Sequence, residues 1–193
     1  MTFEIYQKYA ALIFDMDGTI LDTEPTHRRA WQQVLSKHGL QANEAQMIAL
    51  NGAPTWSIAR FIIENNQSDI DPHVLAAEKT ALFKEILFDS VKPLPLIEVA
   101  KYYLGRKPMA VGTGSEHGVA DMLLRHLGLD HLFSVIVGAN DVTHHKPAPD
   151  TFLRCAQLLN VPATSCLVFE DADFGIQAAK SANMAFVDVR LLE

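Results

Sequence analysis

Residues 9–19 read YAALIFDMDGT. Within them Ala10-Ala11-Leu12-Ile13-Phe14 is a short apolar run, and it ends abruptly in Asp15 and Asp17 with one residue between them. An uninterrupted apolar run bounded by charge and glycine is the pattern of a strand buried on both faces of a parallel sheet. The two aspartates then stand at its carboxyl end, where open α/β sheets hold their ligands. Carboxylates this close repel each other unless a cation sits between them. A hard divalent ion with oxygen ligands, Mg²⁺ above all, suits the gap. Gly18 lets the chain turn sharply, and Thr19 adds a hydroxyl that can hold the turn. The bland alternative is a solvated strand end, but carboxylates placed directly after a buried strand usually have a chemical task.

Downstream, residues 22–92 read as helical. Asp22-Thr23-Glu24-Pro25 is a helix-start pattern with proline in the first turn. The stripe Ala30, Trp31, Val34, Leu35, His38 follows, and Gly39 stops it. Further helices are expected over 44–50, from about Thr55 with Ile58, Phe61 and Ile62, and from Asp71-Pro72 with Leu75, Leu82 and Ile86 inward. No strand is evident in this block, which is too long for one crossover and reads as a helical subdomain. Pro93 and Pro95 mark the return to an α/β pattern. Strands are expected at 108–113, 134–137, 166–169 and 185–188, with helices between them. Alternating strands and helices predict a doubly wound parallel sheet with right-handed crossovers. The expected organisation is a core of residues 1–21 and 93–193 and a helical cap of residues 22–92, inserted where it can act as a lid.

The chain has 193 residues, is 49% hydrophobic and carries a net charge of −7. No basic stretch is long enough to track a phosphate backbone, so nucleic acid is not an expected partner. No apolar run approaches the ~20 residues that span a bilayer, so no membrane partner is expected. The segment MTFEIYQKYA lacks a secretory pattern, and a cytoplasmic location is expected. A monomer is the default. Cys155 and Cys166 suit neither a zinc site nor a redox pair and read as small buried hydrophobes.

Four groups follow four successive expected strands on one sheet edge. They are Asp15 and Asp17; Thr113, Gly114 and Ser115; Lys146, in the loop HHKPAP; and Glu170 with Asp171. Phosphoryl transfer fits them. Thr113 and Ser115 offer hydroxyls and Gly114 a close backbone N–H for phosphate oxygens. Lys146 can neutralise phosphate charge. Glu170 and Asp171 complete an acidic pocket for Mg²⁺, without which a carboxylate approaching a phosphate dianion is repelled.

DMDGT, the strand-borne Thr113, Lys146 within HKPAPD, and FEDADFGI together resemble the four motifs of the haloacid dehalogenase superfamily, over nearly the whole chain. The helical insertion is similar to the cap of the β-phosphoglucomutase-like branch. VGTGSE, HHKPAPDTF and FEDADFGIQAA are most similar to the fructose-1-phosphate phosphatases of that branch. The resemblance implies that Asp15 is a nucleophile forming an aspartyl-phosphate and that Asp17 is the general acid and base. It implies Mg²⁺ ligation by Asp15, by the Asp17 backbone carbonyl and by Asp171, with Glu170 in support. It implies that Thr113 and Lys146 hold the phosphoryl group, helped by backbone N–H groups up to Gly18. The implied substrate is a small phosphorylated sugar.

Mutases of the branch carry a lysine and an arginine on the cap loop for a second phosphate. Asn51 and Thr55 stand at the matching places here, which favours hydrolysis, although Arg60 could compensate. His27 matches a histidine that the mutases use near the general acid. A dehalogenase needs neither Asp17 nor the Glu170–Asp171 pair, and a non-catalytic binding protein need not keep Asp15 and Asp17. His144 and His145 are expected to shape the Lys146 loop rather than bind metal. His117 could touch substrate. Trp56 could stack on a sugar, yet beside Ile58 and Phe61 it reads more as core. Trp31 reads as core and Glu116 as a helix N-terminal residue.

Overall fold

The computed structural model describes residues 3–87 and 90–192. In chain order the elements are β1 (Ala11–Phe14), a short β2 (Leu21–Asp22), four helices α1 (Glu24–His38), α2 (Glu44–Ala49), α3 (Thr55–Asn66) and α4 (Pro72–Ile86), then a short β3 (Lys92–Pro93). They continue as α5 (Ile97–Tyr103), β4 (Met109–Gly112), α6 (His117–His126), β5 (Val135–Val137), α7 (Asp150–Leu158), β6 (Cys166–Glu170), α8 (Asp173–Ser181) and β7 (Ala185–Asp188).

Five of these strands form one parallel sheet in the order β5-β4-β1-β6-β7. The chain builds outward from β1 to β4 and β5, then crosses back to lay β6 and β7 on the other side. That reversal puts the topological switch point at the carboxyl ends of β1 and β6, where such sheets open a crevice. All four residues of β1 are buried, as a central strand covered on both faces requires.

The strands' period of two sorts their side chains into two layers. Leu12, Phe14, Met109, Val111, Leu167 and Phe169 face one core, with α5 and α6 packed on it. Phe14 and Phe169 stack across β1 and β6 with ring centroids 4.8 Å apart. Ala11, Ile13, Ala110, Cys166 and Val168 face the other core, against Phe152 and Cys155 of α7 and Ala178 and Ala179 of α8. Both cysteines are buried and unpaired, as expected of small hydrophobes.

The helical block packs around Trp31, Val34, Leu35, Ala59, Ile62, Ile63, Leu75 and Ala76. Gly39 ends α1 in the left-handed region (φ 65°) and donates its N–H to Ser36, as a glycine stop does. Two features depart from expectation. The face of α4 that turns inward is Leu75, Ala76, Lys79 and Phe83, whereas Leu82 and Ile86 are only half-buried. The stripe is rotated because α4 packs on both α1 and α3 and so has two inward faces. Residues 22–92 also begin and end in strand: Leu21 pairs with Pro93 and Asp22 with Lys92, antiparallel. Two residues a side are too few to show any periodicity in sequence. This small ribbon brings the two ends of the helical block together.

Candidate active site

Asp15 directly follows β1 and Glu170 ends β6, and both are buried. Lys146, delivered by the loop before α7, is 3% exposed and lies between them. Its ammonium donates to Asp15 Oδ1 at 2.6 Å and to Glu170 Oε2 at 2.7 Å. Asp171 completes the group, and carboxylate oxygens of Asp15, Glu170 and Asp171 lie within 4.8 Å of one another. Thr19, the turn residue, donates to Asp171 Oδ1 at 2.9 Å. Gly18 has φ 81°, and a Cβ there would stand 2.4 Å from Asp171 Oδ2, so the close approach requires glycine. Gly175 plays the same part under Glu170, where a Cβ would fall 1.8 Å from Oε2. Glu170 is further held by the backbone N–H of Ala172 at 3.0 Å.

Three carboxylates face one ammonium, so negative charge is in excess. Burial raises the Asp15 carboxyl above its ordinary value, and the Glu170 charge adds to this against the pull of Lys146. Burial raises Glu170 too. Asp171 is pushed up to about 7, by burial first and then by the Asp15 charge. Lys146 is held above its ordinary value because the two acids it bonds outweigh its desolvation. A divalent cation with oxygen ligands would relieve this excess, and the donor set suits a hard ion.

Asp17 points elsewhere. Its Oδ1 accepts from Thr23 Oγ1 at 2.7 Å and faces His27 Nε2 at 3.3 Å. Its Oδ2 accepts from Thr113 Oγ1 at 3.1 Å and Ser115 Oγ at 2.9 Å. The hydroxyls expected to meet phosphate thus donate to Asp17. Burial alone would raise this carboxyl, but the hydrogen bonds from His27 and from the Thr23 and Ser115 hydroxyls hold it well below the usual range. The Asp17 carboxylate stands outside the acid trio, so only its main chain is left to serve a metal there. Thr23, at the start of α1, makes no capping bond and gives its hydroxyl to Asp17 instead.

Sequence reasoning missed Lys79. It is 3% exposed on α4, and its Nζ lies 2.5 Å from His27 Nδ1. An ammonium can only donate, so Nδ1 accepts and the ring proton sits on Nε2, facing Asp17. Burial lowers His27, and the Lys79 charge lowers it further. Burial also brings Lys79 down to about 7, against the pull of Asp17. The signal was available: a lysine interrupting the apolar face Leu75, Ala76, Phe83 needs a buried partner.

A cavity of about 300 Å³ opens on Asp15, Asp17, Gly18, Gly114, Ser115, Glu170 and Asp171 from the sheet and on Glu24, His27, Arg28, Asn51, Thr55 and Lys79 from the helical block. The block closes tightly on the sheet. A Cβ on Gly114 would meet the Gly52 carbonyl oxygen at 2.6 Å. Trp56 does not line this cavity; its ring stacks on His73 and meets His145 edge-on at 6.1 Å. Arg60 is exposed, beside Glu64 and the Trp56 ring, and is likewise outside the cavity lining. His144 pairs with Asp150 and His117 with Asp141, neither in the cavity lining. Glu116 precedes α6, and Trp31 is buried in the helical core.

Residues 12–189 match the family model of haloacid dehalogenase-like hydrolases. The chain is 64% identical over 188 residues to the fructose-1-phosphate phosphatase YqaB of Escherichia coli, covering 97% of this chain and all of that one. It is 30% identical over 178 residues to a phosphorylated carbohydrates phosphatase of Thermotoga maritima, covering 90% of this chain and 82% of the relative. A β-phosphoglucomutase structure from Clostridium difficile superposes with a TM-score of 0.80 at 30% identity, over 92% of this chain and 83% of that one. The crevice at the β1–β6 switch point and the matched sequence agree, and the chain belongs to the haloacid dehalogenase-like hydrolases.

Proposed function

We propose that this protein is a Mg²⁺-dependent phosphatase of small phosphorylated sugars, with fructose 1-phosphate as the leading substrate and Asp15 as the nucleophile. The observation that carries this is the division of labour between two carboxylates two residues apart. Asp15 is buried with Lys146 and the acids of β6, whereas Asp17 is turned into a set of hydroxyls and His27.

Lys146 holds Asp15 Oδ1, so Oδ2, without a hydrogen bond among the described residues, is the attacking atom. Asp15, the Asp17 carbonyl and Asp171 would hold the metal, with Glu170 in support. When bound, the ion supplies charge that lets an anionic nucleophile approach phosphate. A third ammonium proton of Lys146 can reach a phosphoryl oxygen. Substrate phosphate competes for the Thr113 and Ser115 hydroxyls. Their departure from Asp17 removes donors that favour its ionised form and raises its proton affinity. Asp17 then takes up a proton from solvent, gives it to the departing sugar alkoxide, and as the carboxylate again takes one from the water that hydrolyses the aspartyl-phosphate. Residues 22–92 act as the cap over these steps, and the enzyme works as a cytoplasmic monomer.

A mutase would need cations for a second phosphate. Asn51 and Thr55 line the cavity in neutral form, Arg28 is bonded to Glu24, and Arg60 lies outside the lining. The test is phosphate release from a panel of sugar monophosphates with and without Mg²⁺. Metal-dependent turnover of ketose and aldose phosphates is expected. No release by folded protein in saturating Mg²⁺ overturns the assignment.

A further inference from the structure

Glu24 begins α1 on the wall of the cavity. Its Oε1 accepts from Arg28 Nη2 at 2.8 Å, Arg28 Nε at 3.1 Å and Asn51 Nδ2 at 3.4 Å. Its Oε2 carries no hydrogen bond among the described residues. The donors come from two directions, one turn along α1 and from the loop after α2, so the carboxylate is oriented by both. An ionised carboxylate only accepts hydrogen bonds. In a cavity whose other end takes a phosphoryl group, such a residue attracts neutral hydroxyl donors. It also engages Arg28, so a second phosphate meets a neutralised ion pair on this wall.

The cations on this wall already have partners. Arg28 shares Glu24 Oε1 through two of its nitrogens. Lys79 faces His27 from beneath. The remaining lining from the helical block sets apolar Leu35, Ala42, Met47 and Ile48 beside neutral Gln32 and Thr55, and adds no further cation among the described residues.

We propose that Glu24, oriented by Arg28 and Asn51, is the residue by which this site selects hydroxyl-rich monophosphates and rejects bisphosphates. The proposal rests on the phosphatase assignment above. Selection of this kind is strong because a polar group left unpaired in the site is costly, so analogues without the hydroxyl are penalised.

The experiment compares kcat/KM of the wild type, Glu24→Gln and Glu24→Ala on fructose 1-phosphate, fructose 1,6-bisphosphate and p-nitrophenyl phosphate. The readout is the ratio between substrates, so a general loss of active protein cancels. For Glu24→Gln, which keeps the shape, the preference for fructose 1-phosphate over p-nitrophenyl phosphate should fall by about tenfold or more, mainly through KM. The preference for fructose 1-phosphate over the bisphosphate should fall by a similar factor as the Arg28 cation loses its ion pair with Glu24. Glu24→Ala should move both ratios the same way. Ratios unchanged within about twofold in both variants, with the wild type active, overturn the role of Glu24 alone. A wild type inactive on all three substrates in Mg²⁺ overturns the phosphatase assignment and this proposal with it.

Discussion

Lys146 is the residue on which the charge balance of the site turns. It is buried between Asp15 and Glu170, and a buried ammonium is tolerable only with such partners. It does not neutralise Asp171, which the β6 end adds at the edge of the crevice. Asp171 is raised to about 7 by burial and by the Asp15 charge. The folded chain therefore holds this proton more tightly than the unfolded chain, where the carboxyl titrates near its ordinary value. Between the two pKa values the folded state binds more protons, so stability falls as pH rises. In metal-free protein, Asp171→Asn is expected to raise stability at pH 8 by roughly 2–4 kcal/mol and to flatten its fall between about pH 4 and 7. Thermal unfolding of both proteins across that range is the check, and an unchanged slope would show that Asp171 is not strained. Asp15→Asn keeps the shape but removes the proposed nucleophile. Turnover should drop by at least about 10³-fold, with no phosphorylated protein trapped from a rapid quench. Near wild-type activity in that variant removes Asp15 from its role.

Elements decide which side chains meet. Strand β1 was legible from Ala10–Phe14 because an unbroken apolar run needs no neighbour to declare it buried. Gly112 and Gly114 lie at the end of β4, and Gly114 is where the helical block rests on the sheet, close to the Gly52 carbonyl. A methyl group there meets backbone rather than a flexible side-chain tip. Gly114→Ala is expected to push the 51–53 loop away from the crevice and raise KM for sugar phosphates by about tenfold, with a smaller change in kcat. Steady-state kinetics on fructose 1-phosphate decide this, and an unaltered KM would mean that the loop does not close over the substrate. Helix α4 was foreseen as a helix with Leu75 inward, but its buried face continues through Ala76, Lys79 and Phe83 and leaves Leu82 and Ile86 half-buried. Its moment is set by two partners, α1 and α3, and Lys79 reaches His27 only because α4 lies against α1. The β2–β3 ribbon escaped notice for a related reason: Leu21 and Pro93 are about seventy residues apart and carry no local signal of pairing.

At the scale of the molecule, the acidic trio proposed to hold the metal joins the ends of β1 and β6, two strands far apart in sequence and adjacent in the sheet. An ion bound there binds the folded chain and not the unfolded one, so it must stabilise. At a concentration about 100 times its dissociation constant, Mg²⁺ should add about 2.7 kcal/mol. For a chain of this length that is a rise in Tm of roughly 5–10 °C, reversed by EDTA. A melting temperature indifferent to Mg²⁺ would remove the trio from metal binding, whatever the activity shows.

The sequence by itself determined the alternation of strands and helices, the buried central strand, and the placement of Asp15, Asp17, Thr113, Lys146, Glu170 and Asp171 on one sheet edge. These follow from periodicity and chain order, which are local. Only the tertiary structure decided that Lys146 sits between Asp15 and Glu170, that the Asp17 carboxylate turns from that group toward Thr113, Ser115 and His27, and that Lys79 and Glu24 reach the same cavity. Side-chain direction and charge pairing arise from packing between elements distant in sequence, and no local pattern encodes them.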